Sequence, residues 1–257
     1  MREVNYENFN YDIIYTNNNK KDDYALSIVI PCHNSAEVIR PMLLSLDLQR
    51  FNWNVQLIFV LDNCTDNTYL TIRNNLRNPN YSISILRTSV GYAGVAREIG
   101  RCEVKGKYFW SIDSDDYLLR PDAIQTICNI LNSDNPPYLH VKYYSDADGW
   151  FMKNYGEPPS YPKTFWANIY RNDLIKNVHC NVKVIDDDYE FYDEFLEINN
   201  LDKTTWIQTT DYFYYYTQLR DDTISAKYWL NDETKKELYS KITQYYDYLV
   251  DTGRLLK

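Results

Sequence analysis

Four short apolar runs alternate, in the first half of the chain, with stretches in which apolar residues recur every three or four positions. The runs cover residues 26–30, 55–61, 82–86 and 108–112, and their length and β-branched content predict buried strands. The intervening spacing is typical of amphipathic helices. It is carried by Val38, Met42, Leu43 and Leu46, then by Leu70, Ile72 and Leu76, and then by Ile124, Ile127, Ile130 and Leu131. The pattern predicts an α/β fold, with a mostly parallel central sheet flanked by helices on both faces.

The alternation becomes less regular after residue 135, where prolines punctuate a long tyrosine-rich stretch. This part of the chain is expected to supply loops over one edge of the sheet. A helix is predicted over residues 191–198, followed by a strand over 212–216. A last amphipathic helix is predicted around Leu238, Ile242, Tyr245 and Leu249, and its apolar face is expected to pack on its own domain.

Composition argues against several classes of protein. The 257 residues carry a formal net charge of -9, which argues against binding nucleic acid chiefly through phosphate contacts. The sequence has no apolar run long enough to cross a membrane, and the residues MREVNYENFN lack the apolar core of a signal peptide, so a cytoplasmic protein is expected. Its five cysteines are widely spaced and form no CxxC pair, a pattern that favours reduced thiols over disulfides or a zinc site.

Polar residues follow three of the predicted strands at the point where each strand ends. They are Pro31 to Asn34 after the first run, Asp62 to Asp66 after the second, and Asp113 to Asp116 after the fourth. Parallel sheets bind ligands at the carboxyl ends of their strands, so these three segments are expected to meet in one site.

The sharpest of these segments is Asp113-Ser114-Asp115-Asp116. Carboxylates this close together repel one another unless a cation neutralises them, and oxygen ligands suit Mg²⁺ or Mn²⁺. A solvated acidic turn before the helix that begins near Pro121 is the other interpretation of the same four residues.

Seven motifs, taken in order, resemble those of family-2 glycosyltransferases with the GT-A fold. They are LSIVIPCHNS, VQLIFVLDNCTDNT, GYAGVAREIG, YFWSIDSDDYLLRPDAI, WANIYRNDLI, IDDDYEFYDEFL and YYYTQLRDDTIS, and they extend over residues 25–227. The resemblance implies a Rossmann-like nucleotide-diphospho-sugar transferase fold with a DxD motif at the end of the fourth strand. One departure concerns the nucleobase. Leu61 precedes Asp62 where relatives have two adjacent acids, and Asn63 and Cys64 replace a common Gly-Ser.

The same resemblance implies roles for individual residues. The donor would contact Pro31, His33, Asn34, Asp62, Gly94, Arg97, Asp113 and Ser114, and Asp113, Asp115 and Asp116 would hold Mn²⁺ or Mg²⁺. Asp188, with Asp187 before it, matches the acidic pair that supplies the catalytic base. Without the resemblance, Arg97 would be interpreted as a surface residue. The second acidic cluster, residues 186–190, would be interpreted as the first turn of a helix. A contribution of His179 to the metal site stays open.

The implied function is metal-assisted, inverting transfer of a sugar from a nucleotide donor, most simply a UDP-sugar, to an acceptor hydroxyl. The acceptor is open among a glycan, a lipid-linked sugar, a protein and a modified nucleic acid. The organisation implied is a polar extension (1–23), a nucleotide-sugar-binding half (24–135), an acceptor-side half (136–227) and a C-terminal helical segment (228–257). A sugar-nucleotide nucleotidyltransferase is the alternative, although it would need a glycine-rich loop after the first strand. A non-catalytic nucleotide-sugar-binding module is a further alternative.

Overall fold

A computed structural model describes residues 9–17, 19, 21, 23–145, 163–180, 187–202 and 207–217. The strands in these ranges are β1 (Asp12–Thr16), β2 (Tyr24–Cys32), β3 (Val55–Asp62), β4 (Tyr81–Thr88), β5 (Gly106–Ser111), β6 (Tyr117–Leu118), β7 (Tyr138–Ser145), β8 (Asn168–Arg171) and β9 (Ile207–Tyr216). The α-helices are α1 (Arg40–Asp47), α2 (Thr68–Asn75), α3 (Ala93–Cys102), α4 (Ala123–Asp134) and α5 (Asp187–Ile198). The predicted final helix lies outside the described residues.

Within these ranges the strands form one sheet in the order β1-β4-β3-β2-β5-β8-β7-β9-β6. Its centre, β4-β3-β2-β5, is parallel throughout, as expected where crossover helices connect the strands. Strand β1 adds to β4, and β8 to β5, in the antiparallel sense. The predicted α/β class with a parallel core is confirmed.

Helices cover both faces of this sheet. One core cluster joins Leu26, Ile28 and Ile30 of β2 to α1, α2 and α4. The other joins Val29 of β2 to α3 and α5. Successive residues of β2 therefore point into opposite cores, which explains why buried parallel strands read as continuous apolar runs.

The parallel register aligns the carboxyl ends of the central strands. Cys32 pairs with Leu61, and Asp62 pairs with Thr88. The pairing of β2 with β5 stops at Val29, and Pro31, two residues on, has no N–H with which to continue the ladder. The tip of β5 is thereby released from the sheet at the point where the acidic segment begins.

All five cysteines lie in the described ranges and none forms a disulfide. None of the helices described there is long and apolar enough to cross a membrane.

Candidate active site

The acidic segment after β5 lies beside the ends of β2 and α3. The Ser114 hydroxyl is 3.0 Å from that of Ser35, which follows β2. The Arg97 guanidinium, from α3, donates to the Asp113 carboxylate at 2.8 Å. The Asp113 and Arg97 side chains are 29% and 13% exposed, so this ion pair borders solvent. The structure therefore brings together predicted donor-binding residues from α3 and from the segment after β5, and it adds Ser35 after β2, which was not predicted.

Asp116 lies in a different environment from its neighbours. It is fully buried, and its two carboxylate oxygens accept hydrogen bonds from the Tyr214 hydroxyl at 2.5 Å and from the Thr217 N–H at 2.8 Å. Burial, followed by the charges of Asp113 and Asp115, raises the pKa of Asp116 well above its ordinary value. This carboxylate holds the acidic segment against β9, whereas Asp113 and Asp115 keep partial access to solvent.

Tyr214 and Thr217 contact the acidic segment, although the motif YYYTQLRDDTIS, in which both lie, did not single them out. The Thr217 hydroxyl donates to the carbonyl of Asp115 at 3.0 Å, and the N–H of Asp113 donates to the Tyr214 hydroxyl at 3.3 Å. The tyrosine run of β9 was the available signal, and nothing in the sequence indicated which of its members faces the acidic segment.

Asp62 fixes the loop that follows β4. Its Oδ1 accepts hydrogen bonds from the N–H groups of Val90 at 2.8 Å and Gly91 at 2.9 Å. Burial raises the pKa of Asp62, although these N–H groups and the His33 ring oppose the shift. His33 Nδ1 lies 2.8 Å from the carbonyl oxygen of Asp62. A carbonyl only accepts, so Nδ1 carries the proton.

Asn34 joins the loops that follow β2 and β3. Its backbone has a positive φ of 47°, a conformation that Asn tolerates better than most residues. The side-chain oxygen accepts hydrogen bonds from the N–H groups of Thr65 at 2.8 Å and Asp66 at 3.3 Å. Asp66 in turn accepts from the N–H of Ala36 at 2.9 Å. The first two strand tips therefore form one preorganised surface.

The remaining donor candidates lie on this surface or next to it. Gly94 is buried in the first turn of α3, three residues before Arg97. Pro31 is partly exposed near the end of β2.

The donor set at the β5 tip suits a hard divalent cation. No group of three or more His, Cys, Asp or Glu side chains in the described ranges is arranged to hold a metal ion by itself. A Mg²⁺ or Mn²⁺ ion that bridges to a diphosphate needs only one or two protein carboxylates, because phosphate and water oxygens complete its shell. The partly exposed Asp113 and Asp115 fit that requirement.

The second acidic cluster lies at the start of α5, as predicted, and the helix begins four residues earlier than the apolar spacing indicated. Asp188 is partly exposed, and its carboxylate accepts a hydrogen bond from the N–H of Tyr189 at 3.0 Å. The side chain of Asp187 lies outside the described part of the chain. One turn further on, Phe191 packs against Phe165 with ring centroids 4.9 Å apart, and the Phe165 ring lies 5.2 Å from the guanidinium of Arg97.

His179 is bound to α3. Arg101 donates to its Nδ1 at 2.9 Å. Because a guanidinium only donates, Nδ1 must accept, which leaves the ring proton on Nε2 and neither nitrogen free to bind a metal. The geometry therefore argues against His179 as a metal ligand.

A family comparison decides the affiliation of the chain. Residues 27–190 match the family described as glycosyl transferase family 2. The chain belongs to this family. The matched segment begins in β2 and ends in the first turn of α5, so it contains all the site residues predicted from sequence, whereas Phe191, Tyr214 and Thr217 lie beyond it.

Individual relatives agree with the family assignment. Poly(ribitol-phosphate) beta-N-acetylglucosaminyltransferase TarS of Staphylococcus aureus is 32% identical over 93 residues, which are 36% of this chain and 16% of that protein. The chain thus matches only about one sixth of the length of that relative.

Solved structures show the GT-A fold. S. aureus TarS 1-349 in complex with UDP-GlcNAc gives a TM-score of 0.65 at 22% identity, covering 86% of this chain and 66% of that one. The mannosyltransferase PcManGT from Pyrobaculum calidifontis, in complex with GDP-Man and Mn²⁺, gives 0.57 at 12% identity, covering 76% and 57%.

Proposed function

We propose that this family-2 chain transfers a sugar from a UDP-sugar to an acceptor hydroxyl by a single inverting displacement. The observation that carries the proposal is the ion pair between Arg97 and Asp113 at the tip of β5, next to Asp115 and the joined tips of β2 and β3. A cationic guanidinium and two accessible carboxylates at the carboxyl edge of a parallel sheet suit a diphosphate accompanied by a divalent cation.

The donor is proposed to lie across these tips. Asp62 would contact the nucleobase through Oδ2, because its Oδ1 already accepts from two backbone N–H groups. The backbone of Pro31 and the side chains of His33 and Asn34 would line the base and ribose. Gly94, in the first turn of α3, would permit a close approach of the diphosphate, and Arg97 on the same helix would contact it.

Asp113 and Asp115 would hold Mn²⁺ or Mg²⁺, and Ser114 would lie between them. When bound, the cation would offset the negative charge that develops on the leaving diphosphate. We assign Asp116 to positioning this segment, since both of its oxygens already accept hydrogen bonds from protein donors. The charges of Asp113 and Asp115, which add to the effect of burial in raising the pKa of Asp116, favour a cation at this tip.

Asp188 is proposed as the general base, with Asp187 beside it at the start of α5. The acceptor oxygen would form its bond to the anomeric carbon on the face opposite the diphosphate. The bond between that carbon and the diphosphate oxygen would break, its electron pair would leave with UDP, and the acceptor proton would pass to Asp188.

The relatives suggest the substrates to try first. TarS, by its name, transfers N-acetylglucosamine to poly(ribitol phosphate), so we propose UDP-N-acetylglucosamine as the donor and a polyol-phosphate or glycan hydroxyl as the acceptor. The nucleobase departure at Leu61 and Asn63 makes GDP-mannose the informative competitor, since PcManGT binds that donor.

The decisive experiment is a thermal-shift titration of UDP-N-acetylglucosamine and GDP-mannose, each with and without Mn²⁺. Binding to the folded state raises Tm, so the proposed donor should stabilise the chain mainly when Mn²⁺ is present. Asp115→Asn should remove the Mn²⁺-dependent part of the shift. Asp188→Asn should keep that shift and lose UDP release in the presence of an acceptor.

The matched control is Asp134→Asn. It removes a carboxylate of the same type from the exposed end of α4 and should leave both readouts unchanged. A Mn²⁺-dependent shift that survives Asp115→Asn, or UDP release that survives Asp188→Asn, would contradict the assigned roles.

A further inference from the structure

Helix α3 carries a buried pair of charged residues, Glu98 and Arg101, immediately after Arg97 in the sequence. Glu98 and Arg101 form an ion pair at 2.7 Å, and their side chains are 2% and 12% exposed. Burial alone would raise the pKa of Glu98, but the charge of Arg101, the proximity of His179 and a hydrogen bond from Cys180 lower it below its ordinary value. Glu98 is therefore an ionised carboxylate inside the protein, a costly arrangement that needs several partners.

The pair binds the chain that leads from β8 towards α5. Arg101 donates to the carbonyl oxygens of Ile175 at 2.9 Å and Val178 at 2.5 Å, and to His179 Nδ1 at 2.9 Å. Glu98 accepts from the N–H of Cys180 at 2.7 Å. These bonds span 74 to 82 positions of sequence, so they fix a distant segment on the helix that carries Arg97.

Two aromatic contacts extend the connection to α5. The guanidinium of Arg101 lies 5.8 Å from the Phe191 ring, while that of Arg97 lies 5.2 Å from the Phe165 ring. The two rings pack on each other. One face of α3 therefore contacts the acidic tip of β5 through Arg97 and the first turns of α5 through Arg101. Asp188 lies one turn before Phe191.

We propose that Glu98 and Arg101 are positioning residues that hold α5, and with it Asp188, at a fixed distance from the donor site. The proposal rests on the proposed function, in which Asp188 accepts the acceptor proton. Apolar residues of similar volume often replace a buried ion pair without loss of stability. Apolar side chains cannot supply hydrogen-bond partners for two carbonyl oxygens and one N–H group, whereas Arg101 and Glu98 supply these partners in fixed directions.

The test compares Arg101→Lys with wild type. Lysine keeps the charge beside Glu98 but lacks the planar fork that reaches several acceptors at once. A displacement of the base by about 1 Å costs up to about a hundredfold in rate. We therefore expect kcat to fall about ten- to hundredfold. The assay measures UDP release from UDP-N-acetylglucosamine in the presence of Mn²⁺, with water or poly(ribitol phosphate) as acceptor. KM for the donor and Kd for UDP with Mn²⁺ should change less than about twofold, because Arg97 and the strand tips are intact.

Arg171→Lys is the matched control. Arg171 also pairs with a carboxylate, Asp173, at 2.8 Å, but at an exposed site on β8, and its replacement should leave kcat and KM unchanged. A readout independent of activity is hydrogen exchange, which should accelerate at residues 175–180 and in the first turns of α5 in Arg101→Lys and not in the control.

Should Arg101→Lys fail to fold, Glu98→Gln is the second variant, since its amide oxygen still accepts from Cys180 while the charge is lost. It should show the same loss of kcat with an unchanged Kd for UDP and Mn²⁺. An unchanged kcat in a folded variant of either residue overturns the positioning role. Absence of donor binding and UDP release in the wild type would instead overturn the proposed function, so the two failures are distinguishable.

Discussion

Removal of one hydroxyl, in Tyr214→Phe, tests how the acidic segment is held. The Tyr214 ring is fully buried and stacks on Trp166 with centroids 5.4 Å apart, and phenylalanine preserves that packing. The change therefore isolates two hydrogen bonds. One is donated to the Asp116 carboxylate at 2.5 Å, and the other is accepted from the N–H of Asp113 at 3.3 Å.

The expected loss follows from the type of bond. Burial disfavours the charged form of Asp116, so each of the two hydrogen bonds contributes about 0.5–1.5 kcal/mol. The free energy of unfolding should fall by about 1–3 kcal/mol. For a chain of this size 1 kcal/mol corresponds to about 2–4 °C, so Tm should fall by about 2–12 °C.

Urea unfolding and calorimetry at neutral pH would measure the loss. Tyr215→Phe is the matched control because Tyr215 is partly exposed and its ring stacks on Tyr117 at 4.6 Å, so the control should cost less than about 0.5 kcal/mol. Kd for UDP with Mn²⁺ should rise only in Tyr214→Phe, because its hydroxyl anchors the segment that holds Asp113 and Asp115. Equal losses of stability in the two variants would refute this account of the acidic segment.

Three further predictions concern α3 and its partners. Gly100→Ala should destabilise the fold by about 1–3 kcal/mol, because the new Cβ would lie 2.3 Å from Val29 Cγ1; adding Val29→Ala should recover part of the loss in urea unfolding. Glu98→Gln should be less stable than wild type. Because the folded pKa of Glu98 lies below its ordinary 4.5, the difference in free energy of unfolding should persist above pH 4.5 and shrink as the pH falls through the folded pKa. Urea unfolding between about pH 7 and 3 would measure this difference. His179→Ala should retain the Mn²⁺-dependent thermal shift of UDP-N-acetylglucosamine, and loss of that shift would restore His179 as a metal ligand.

The central strands could be predicted from sequence because burial on both faces imposes a continuous apolar run. All four predicted runs fall in β2 to β5, with ends that differ by at most two residues. Strand β1 was not predicted. Its residues are half-exposed or exposed, so its sequence shows no pattern of burial. Its position depends on the free edge of β4, with which it pairs. The strands β7 and β8 were missed because tyrosines and polar residues interrupt their apolar pattern.

The site was predictable only at the level of segments. Strand ends and acidic clusters locate the tips of β2, β3 and β5, but the sequence treats Asp113, Asp115 and Asp116 alike. What distinguishes Asp116 is a hydroxyl 98 residues later in the chain. Likewise, the side-chain oxygen of Asn34, assigned from sequence to the donor, accepts from two N–H groups of the next loop. Such contacts depend on tertiary folding, and no local pattern encodes them.

The charges at the β5 tip lead to one more step. Arg97 already pairs with Asp113 at 2.8 Å, so its charge is partly compensated before any donor arrives. The charge of Asp115 remains close by, whereas burial and the neighbouring carboxylates disfavour ionisation of Asp116. A diphosphate that approaches this tip without a cation therefore meets net repulsion, while one that arrives with a divalent cation is attracted. In the proposed function, binding of the cation therefore strengthens binding of the donor, and the reverse. The preference for a nucleoside diphosphate over a monophosphate follows because the diphosphate oxygens bind the same cation as the protein carboxylates.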